Sequence, residues 1–240
     1  MIYFFSGTPG SGKSLDMARC IYNDLRFNRP VICNFDFYPP KKFKDKEFLC
    51  MDNSDITPDF LKDYSANYFK NHRFKEGAIS LYLDECQLLF NARTWNAKGR
   101  ESWNKFFTNH RHLGYDIILA AQFDRMIDRQ IRSLFEVEVI HRKVNSMGIQ
   151  GLFFRILFAS PTLFLKIHYY YPIKEKLRVE FFRYNKKWAK LYDSYDLSFI
   201  TSPETEADAI ASEESATYQA EANNENIVNM TPLAKISDII

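Results

Sequence analysis

A glycine-rich loop near the start of the chain constrains the fold more than any other feature. Its residues follow the pattern Gly-x-x-x-x-Gly-Lys-Ser. An apolar run at residues 2–5 predicts a buried strand before the loop, and apolar residues at helical spacing over residues 13–27 predict a helix after it. A Walker A phosphate loop requires this strand–loop–helix setting, so the sequence predicts a P-loop nucleotide-binding fold. The residues predicted to bind the nucleotide are Gly7, Thr8, Pro9, Gly10, Ser11, Gly12, Lys13 and Ser14.

The residue types of this loop each suit the binding of ATP with Mg²⁺. The glycines let the backbone turn tightly, so that successive N–H groups point at phosphate oxygens. The helix that starts near Lys13 adds a favourable dipole. Lys13 is predicted to contact the β- and γ-phosphates as a catalytic residue, and the hydroxyl of Ser14 is predicted to ligate Mg²⁺.

The rest of the chain alternates strand and helix patterns as far as residue 144. This alternation predicts an α/β fold with a mainly parallel sheet flanked by helices. Further strands are expected at residues 31–37, 78–83, 115–121 and 137–142, and further helices at residues 59–69, 99–113 and 126–135.

The pattern changes after residue 144. Residues 151–184 predict two or three strands in an antiparallel β extension of the same domain, followed by a short helix or terminal strand at 188–195. From residue 200 the chain is acidic and has few large apolar residues. The sequence therefore predicts a P-loop domain over residues 1–199 and a disordered acidic tail over residues 200–240.

A carboxylate pair follows the predicted strand at residues 78–83. A P-loop enzyme needs a carboxylate for its Mg²⁺ at the end of a neighbouring buried strand, and Asp84 meets this requirement. Glu85 is predicted to be the base that orients or deprotonates the attacking water. An alternative is that Glu85 only caps the following helix.

A glutamine and several arginines are candidates for completing the site. Gln122 follows the strand at 115–121, at the sheet edge where ligands bind in a parallel sheet. It is predicted to be catalytic. The alternative is that Gln122 is an ordinary loop residue. An arginine finger is expected from this chain or a neighbouring subunit, and Arg132 is the main candidate. The alternative is that these arginines only form the exposed, salt-bridged face of a helix. The other finger candidates are Arg111, Arg125 and Arg129.

The charge of the chain is divided unevenly. Eight carboxylates and one lysine from residue 200 onward give −7, so with +2 for the whole chain residues 1–199 carry +9. A basic body is compatible with nucleic acid or an anionic membrane surface as partner, and equally with an ordinary solvated surface. The four cysteines lack metal-binding spacing and favour a reduced, cytoplasmic chain. No stretch is apolar over the length that a transmembrane segment needs.

Taken together, these motifs resemble the zonular occludens toxin (Zot) family, the assembly ATPases of filamentous phages. The resemblance covers about residues 1–196. It is carried by Met1-Ile2-Tyr3 and the phosphate loop, by Leu83-Asp84-Glu85-Cys86-Gln87, by the His-Arg-His-Leu-Gly-Tyr-Asp run at 110–116, by Ala121-Gln122, by the Ile-Asp-Arg-Gln-Ile-Arg run at 127–132 and by residues 187–195.

The resemblance implies an ATPase domain akin to DNA-pumping motors, acting in extrusion of single-stranded phage DNA. Its implied partners are further copies of the chain, phage assembly proteins at the host inner membrane, and single-stranded DNA or its coat complex. Family members typically continue into a membrane span and a periplasmic region, which this sequence does not predict. Attachment to the cytoplasmic face of that membrane is therefore expected through a partner or the basic body.

Three functions stay open on sequence alone. The first is a motor ATPase, either for phage extrusion or for DNA translocation or packaging elsewhere. The second is a small-molecule kinase, against which the Asp84-Glu85 pair favours water as the acceptor. The third is an interaction protein that holds nucleotide as a structural ligand.

Overall fold

Eight strands join in one sheet in the computed structural model, which describes residues 1–94, 99–144 and 162–192. The strands are β1 (Ile2–Ser6), β2 (Val31–Cys33), β3 (Phe48–Cys50), β4 (Ile79–Leu83), β5 (Tyr115–Ala120), β6 (Val137–Lys143), β7 (Leu163–Tyr170) and β8 (Glu175–Arg183). The α-helices of these residues are α1 (Lys13–Arg26), α2 (Pro58–Asn71), α3 (Arg100–Asn109), α4 (Arg129–Arg132) and α5 (Lys186–Ala189).

The strand order is β3-β2-β4-β5-β1-β6-β7-β8. The first six strands of this order pair in parallel, and β7 and β8 continue the sheet antiparallel from β6. The predicted α/β P-loop fold with an antiparallel extension is thereby confirmed. Since β5 lies between β1 and β4, the loops after these three strands meet at one edge of the sheet.

Two apolar layers hold helices against opposite faces of the sheet. On one face, α1 buries Met17, Ile21 and Leu25 against strand residues such as Phe5. On the other face, α2 and α3 pack with the opposite side chains of the same strands, which is the alternation that a parallel sheet covered on both faces requires. The phosphate loop is thus fixed between a central strand and a helix whose inner face is fully buried.

Three predicted elements are shorter than their patterns indicated. The helix expected at 99–113 ends at Asn109, followed by its C-cap His110. The strand expected at 31–37 ends at Cys33, because the side chain of Asn34 turns to the backbone of Asp84. The helix expected at 126–135 is wrong outside Arg129–Arg132. There, Asp128 caps the helix by accepting a hydrogen bond from the N–H of Gln130, so the α-helix begins only after it, and Asp124–Met126 form a separate 3₁₀ turn.

The strands at the two ends of the sheet were predicted unequally well. Strand β3 was not expected, since Phe48–Cys50 is too short to show a period. Strands β7 and β8 confirm the antiparallel extension, while residues 151–161 of that prediction lie outside the described residues. The predicted tail at 200–240 also lies outside them, so the division at residue 199 stays a prediction. None of the helices in the described ranges has the length and apolar character needed to cross a lipid bilayer.

Candidate functional site

The phosphate loop joins β1 to α1 through three glycines with positive φ. Gly7 has a φ of +144°, and a Cβ there would lie 2.4 Å from the carbonyl oxygen of His141, so only glycine fits between the loop and β6. Gly12, with a φ of +96°, is the N-cap of α1. The loop therefore directs its backbone at the N-terminal end of a 14-residue helix, where anions bind.

The side chain of Lys13 turns back towards the start of the phosphate loop. Its Nζ donates to the carbonyl oxygen of Gly7 at 2.8 Å, and the residue is only 6% exposed. Burial lowers the pKa of the Lys13 ammonium, while the carboxylates of Asp84 and Glu85 oppose this shift. These contacts place one positive charge inside the loop with two carboxylates nearby.

Ser14 and Asp84 meet although they lie on different elements. The hydroxyl of Ser14, on α1, donates to Oδ2 of Asp84, at the end of β4, at 2.9 Å. Burial raises the pKa of Asp84, and the hydrogen bond from Ser14 acts in the opposite direction. A serine hydroxyl and an aspartate carboxylate placed next to each other are the two protein ligands of Mg²⁺ in P-loop proteins.

Asn34 fixes the backbone of Asp84 from the neighbouring strand. Its Oδ1 accepts the N–H of Asp84 at 2.7 Å, and its Nδ2 donates to the carbonyl oxygen of Asp84 at 2.9 Å and to Oδ1 of Asn53 at 2.8 Å. Sequence reasoning missed Asn34. The signal was a polar residue directly after a buried strand, which is the same signal that identified Asp84.

Glu85 has an unusual backbone conformation. Its φ is +45°, in the left-handed region that residues other than glycine adopt at a cost of about 1 kcal/mol or more. In this turn the N–H of Glu85 donates to Oδ1 of Asp84 at 2.9 Å, and the side chain of Gln87 donates to the Glu85 carboxylate. The turn thus holds the two carboxylates next to each other at the edge of the sheet.

Gln122 adjoins the phosphate loop through its backbone. Its carbonyl oxygen accepts the N–H of Gly7 at 3.2 Å. A cleft of about 650 Å³ lies between the loop, the residues after β5 and the end of β6. Besides Gln122, it is lined by Glu138 and Arg142, which sequence reasoning missed because β6 shows only a buried-strand pattern.

The arginine candidates lie away from the loop. Arg132, on α4, donates to the carbonyl oxygen of Asp124 at 3.5 Å and does not line the cleft. Arg111 pairs with Glu136, and Arg125 and Arg129 are exposed. The structure therefore brings residues 7–14 together with Asp84, Glu85 and Gln122, and leaves all four arginines outside this group.

The loop residues present suit a bound nucleotide. Oγ of Ser11 is buried and has no hydrogen-bond partner among the described residues, so it is a donor left over within the loop. Together with the Lys13 ammonium and the Ser14–Asp84 pair, it provides donors for phosphate oxygens and ligands for Mg²⁺. The residue types and contacts fit a nucleoside triphosphate with Mg²⁺.

A buried ionic network lies behind the loop. Asp16, in the first turn of α1, is 0% exposed and accepts from Nε2 of His141 at 3.0 Å, Nζ of Lys166 at 3.2 Å and Nη2 of Arg19 at 2.7 Å. Lys166 also pairs with Glu180 at 3.1 Å. Burial alone would raise the pKa of Asp16, but the hydrogen bond from His141 and the neighbouring positive charges hold it well below its usual range. The network joins α1 to β6, β7 and β8.

His168, beside this network, predicts a pH dependence of stability. Burial and the positive charge of Arg178 lower its pKa to about 4, against the attraction of Glu180. In an unfolded chain histidine has a pKa of about 6.5, so between these values the unfolded state takes up a proton that the folded state does not. The free energy of unfolding should therefore fall as the pH is lowered from about 6.5 to about 4, by at most roughly 3 kcal/mol.

Urea unfolding of the wild type and of His168→Gln across this pH range measures the effect. The variant should show a flatter dependence, because glutamine takes up no proton. Equal slopes in the two proteins would contradict the assignment to His168. The low pKa of Asp16 also reduces stability as the pH falls below about 5, but Asp16 is present in both proteins, so its contribution cancels from the difference.

Comparison with known proteins identifies the family of the chain. The sequence profile of the zonular occludens toxin (Zot) family matches residues 1–197. The Gene 1 protein of Enterobacteria phage f1 is 28% identical over 205 residues, covering 81% of this chain and 58% of the relative. The Gene 1 protein of Salmonella phage IKe is 26% identical over 221 residues, covering 85% of this chain and 58% of the relative.

A solved structure is also similar. The N-terminal domain of zonular occludens toxin from Neisseria meningitidis has a TM-score of 0.48 and 22% identity, covering 80% of this chain and 98% of that one. The chain spans 58% of the length of the two phage relatives. Because the family profile matches residues 1–197, which is more than half of the chain, the chain belongs to the zonular occludens toxin (Zot) family.

Proposed function

We propose that this chain is a motor ATPase that powers filamentous phage assembly and the extrusion of single-stranded phage DNA. The single observation that carries the hydrolytic part is the Ser14–Asp84 hydrogen bond with Glu85 held beside it. It supports a site in which Asp84 binds Mg²⁺ and the carboxylate of Glu85, which is not a metal ligand, acts on water. The phage part rests on membership of the Zot family and on the phage relatives.

In the proposed reaction, residues of the loop hold the triphosphate and Glu85 acts on water. The backbone N–H groups of residues 7–14 and the Lys13 ammonium bind the phosphate oxygens and stabilise the charge that develops on them. Glu85 accepts a proton from water as the water oxygen bonds to the γ-phosphorus, and the bond from that phosphorus to the bridging oxygen breaks. Mg²⁺, held by Ser14 and Asp84, would neutralise charge on the β- and γ-phosphates.

Gln122 and Arg132 have proposed roles at the γ-phosphate. Gln122 follows β5, between the strands that carry the loop and the carboxylate pair, and its backbone contacts Gly7. Its amide is suited to orient the attacking water. Arg132 lies outside the group, on α4. We propose it as a finger that serves a neighbouring subunit, which requires a homo-oligomer.

The proposed partners follow from the family. They are phage assembly proteins at the host inner membrane and single-stranded DNA or its coat complex. We propose the cytoplasmic side of that membrane as the place of action, because ATP is available there. The contact with the membrane is assigned to a partner or to the basic surface of residues 1–199.

Steady-state ATP turnover with Mg²⁺ tests this proposal, measured with and without single-stranded DNA. We expect basal turnover that DNA raises, and light scattering in the presence of ATP and Mg²⁺ should detect an oligomer. The absence of turnover under every condition would contradict the motor function. Turnover that requires a small-molecule acceptor would instead support a kinase.

A further inference from the structure

Two lysines from distant segments converge on one phenol. Nζ of Lys42 donates to the hydroxyl oxygen of Tyr22 at 2.7 Å, and Nζ of Lys187 donates to the same oxygen at 2.9 Å. The two ammonium groups lie 4.8 and 4.6 Å from the centroid of the Tyr22 ring, as expected for donors to its hydroxyl oxygen. We call these three residues the lysine–tyrosine seat.

The seat concentrates positive charge. Since both nitrogens lie within hydrogen-bond distance of one oxygen, they are at most 5.6 Å apart. In the described part of the chain, neither ammonium forms an ion pair with a carboxylate. Two like charges held this close together favour the binding of an anion between them.

The surface on either side of the seat has the same sign. Residues 41–46 contact α1 at Tyr22 and the residues after it at Asn28, to whose side chain Lys46 donates, and α5 also packs against α1. Residues 41–46 and 186–190 together carry seven lysines and one carboxylate, Asp45. The lysines are Lys41, Lys42, Lys44, Lys46, Lys186, Lys187 and Lys190.

The chemistry of this surface favours a nucleic acid over a lipid bilayer. Tyr184 is 47% exposed beside the lysine-rich segment at 186–190, and exposed rings on a basic surface are the features on which single-stranded bases stack. An interfacial membrane segment inserts its apolar side chains into the bilayer, whereas Phe43 is turned inward and is only 5% exposed.

We propose that the lysine–tyrosine seat binds a backbone phosphate of single-stranded nucleic acid, whose strand follows the two lysine-rich segments. This inference deepens the proposed function, on which its partner class rests. Tyr22 of the seat lies on the helix that follows the phosphate loop, nine residues after Lys13, or about 13.5 Å along α1 at 1.5 Å per residue. A strand bound there would thus contact the helix that begins at the nucleotide site.

Fluorescence anisotropy with a labelled oligo-dT measures the contribution of the seat. The double variant Lys42→Ala with Lys187→Ala should bind at least about 10-fold more weakly at low salt, with the slope of log affinity against log salt reduced by about 1. The matched control is Lys62→Ala with Lys105→Ala, which removes the same charge from lysines that pair with Asp59 and Glu101. Equal losses in both double variants would overturn the proposal.

Titration of Tyr22 gives an independent readout. Hydrogen bonds from Lys187 and Lys42 lower the pKa of Tyr22 to about 8. A phosphate at the seat would counter the charge of the two lysines, so the pKa of Tyr22 should rise towards its ordinary value when oligo-dT is added. The difference in ultraviolet absorbance between wild type and Tyr22→Phe follows this titration. An unchanged titration at saturating oligo-dT would contradict the proposal.

Two further measurements separate the possible failures. Vesicles of phosphatidylglycerol serve as the competing anionic surface, and loss of vesicle binding in the Lys42–Lys187 variant with unchanged oligo-dT binding would overturn the nucleic-acid assignment. Basal ATP turnover without DNA should be the same in the wild type and this variant. If the wild type lacks turnover but the seat binds oligo-dT, the proposed function fails alone; if turnover is present and the seat has no effect, this inference fails alone.

Discussion

Replacing Glu85 by glutamine is expected to lower the kcat of ATP hydrolysis by about 10²- to 10⁴-fold, the range that general-base catalysis contributes. Glutamine preserves the shape of the side chain but cannot accept the proton of the attacking water. The backbone turn that holds residue 85 against Asp84 uses its N–H and is retained in the variant. Nucleotide affinity, measured by titration with a fluorescent ATP analogue, should therefore change little.

The matched control is Glu76→Gln, which makes the same chemical change at an exposed position before β4. It should leave both kcat and nucleotide affinity as in the wild type. If Glu85→Gln hydrolyses ATP at the wild-type rate, Glu85 is not the base, and its left-handed turn serves only to position Asp84. If it loses nucleotide affinity as well, the residue contributes to binding and the role assigned to it is wrong.

Replacing Asp16 by alanine should lower the free energy of unfolding by about 3–5 kcal/mol, the usual cost of removing one partner of a buried ion pair. The substitution leaves the Lys166 ammonium and the His141 ring buried without the carboxylate that they share. Urea unfolding at neutral pH measures the effect. Asp63→Ala, at an exposed position on α2, is the control and should change stability by less than about 0.5 kcal/mol.

A second substitution separates lost charge pairing from lost packing. Lys166→Met removes the buried ammonium, so the Asp16→Ala and Lys166→Met double variant should be more stable than the sum of the single effects predicts, by about 1 kcal/mol or more. Strictly additive effects would contradict a direct interaction. Should Asp16→Ala fail to fold, recovery of folding by Lys166→Met would give the same answer.

The parts of the site that lie in continuous sequence could be predicted. Residues 7–14 form a loop whose function depends on consecutive backbone groups, so the spacing of its glycines and Lys13 is visible in one dimension. Asp84 and Glu85 were visible for a related reason, since they follow a buried apolar run. The expected parallel sheet then implied that these residues meet, and the Ser14–Asp84 hydrogen bond at 2.9 Å agrees with that expectation.

Elements that depend on local competition were predicted less well. The pattern at 126–135 has helical spacing, but only Arg129–Arg132 is helical because the side chain of Asp128 caps the backbone there. The strand predicted at 31–37 ends before Asn34 for a similar reason. The side-chain amide of Asn34 forms hydrogen bonds with the backbone of Asp84, in place of the strand pairing that would continue β2. Side-chain hydrogen bonds to the backbone compete with regular structure, and periodicity does not register them.

By itself, the sequence determined the P-loop fold, the phosphate loop and the carboxylate pair, because each depends on neighbours in the chain. Only the tertiary structure decided which residues that are distant in sequence form ion pairs and hydrogen bonds with each other. Asp16 and His141 are 125 positions apart, and Tyr22 and Lys187 are 165 apart. Pairing of this kind depends on which faces the sheet and α1 bring together, and no local pattern encodes it. The phosphate loop was thus readable from its own residues, whereas the network that supports it and the lysine–tyrosine seat on the same helix became visible only in the folded chain.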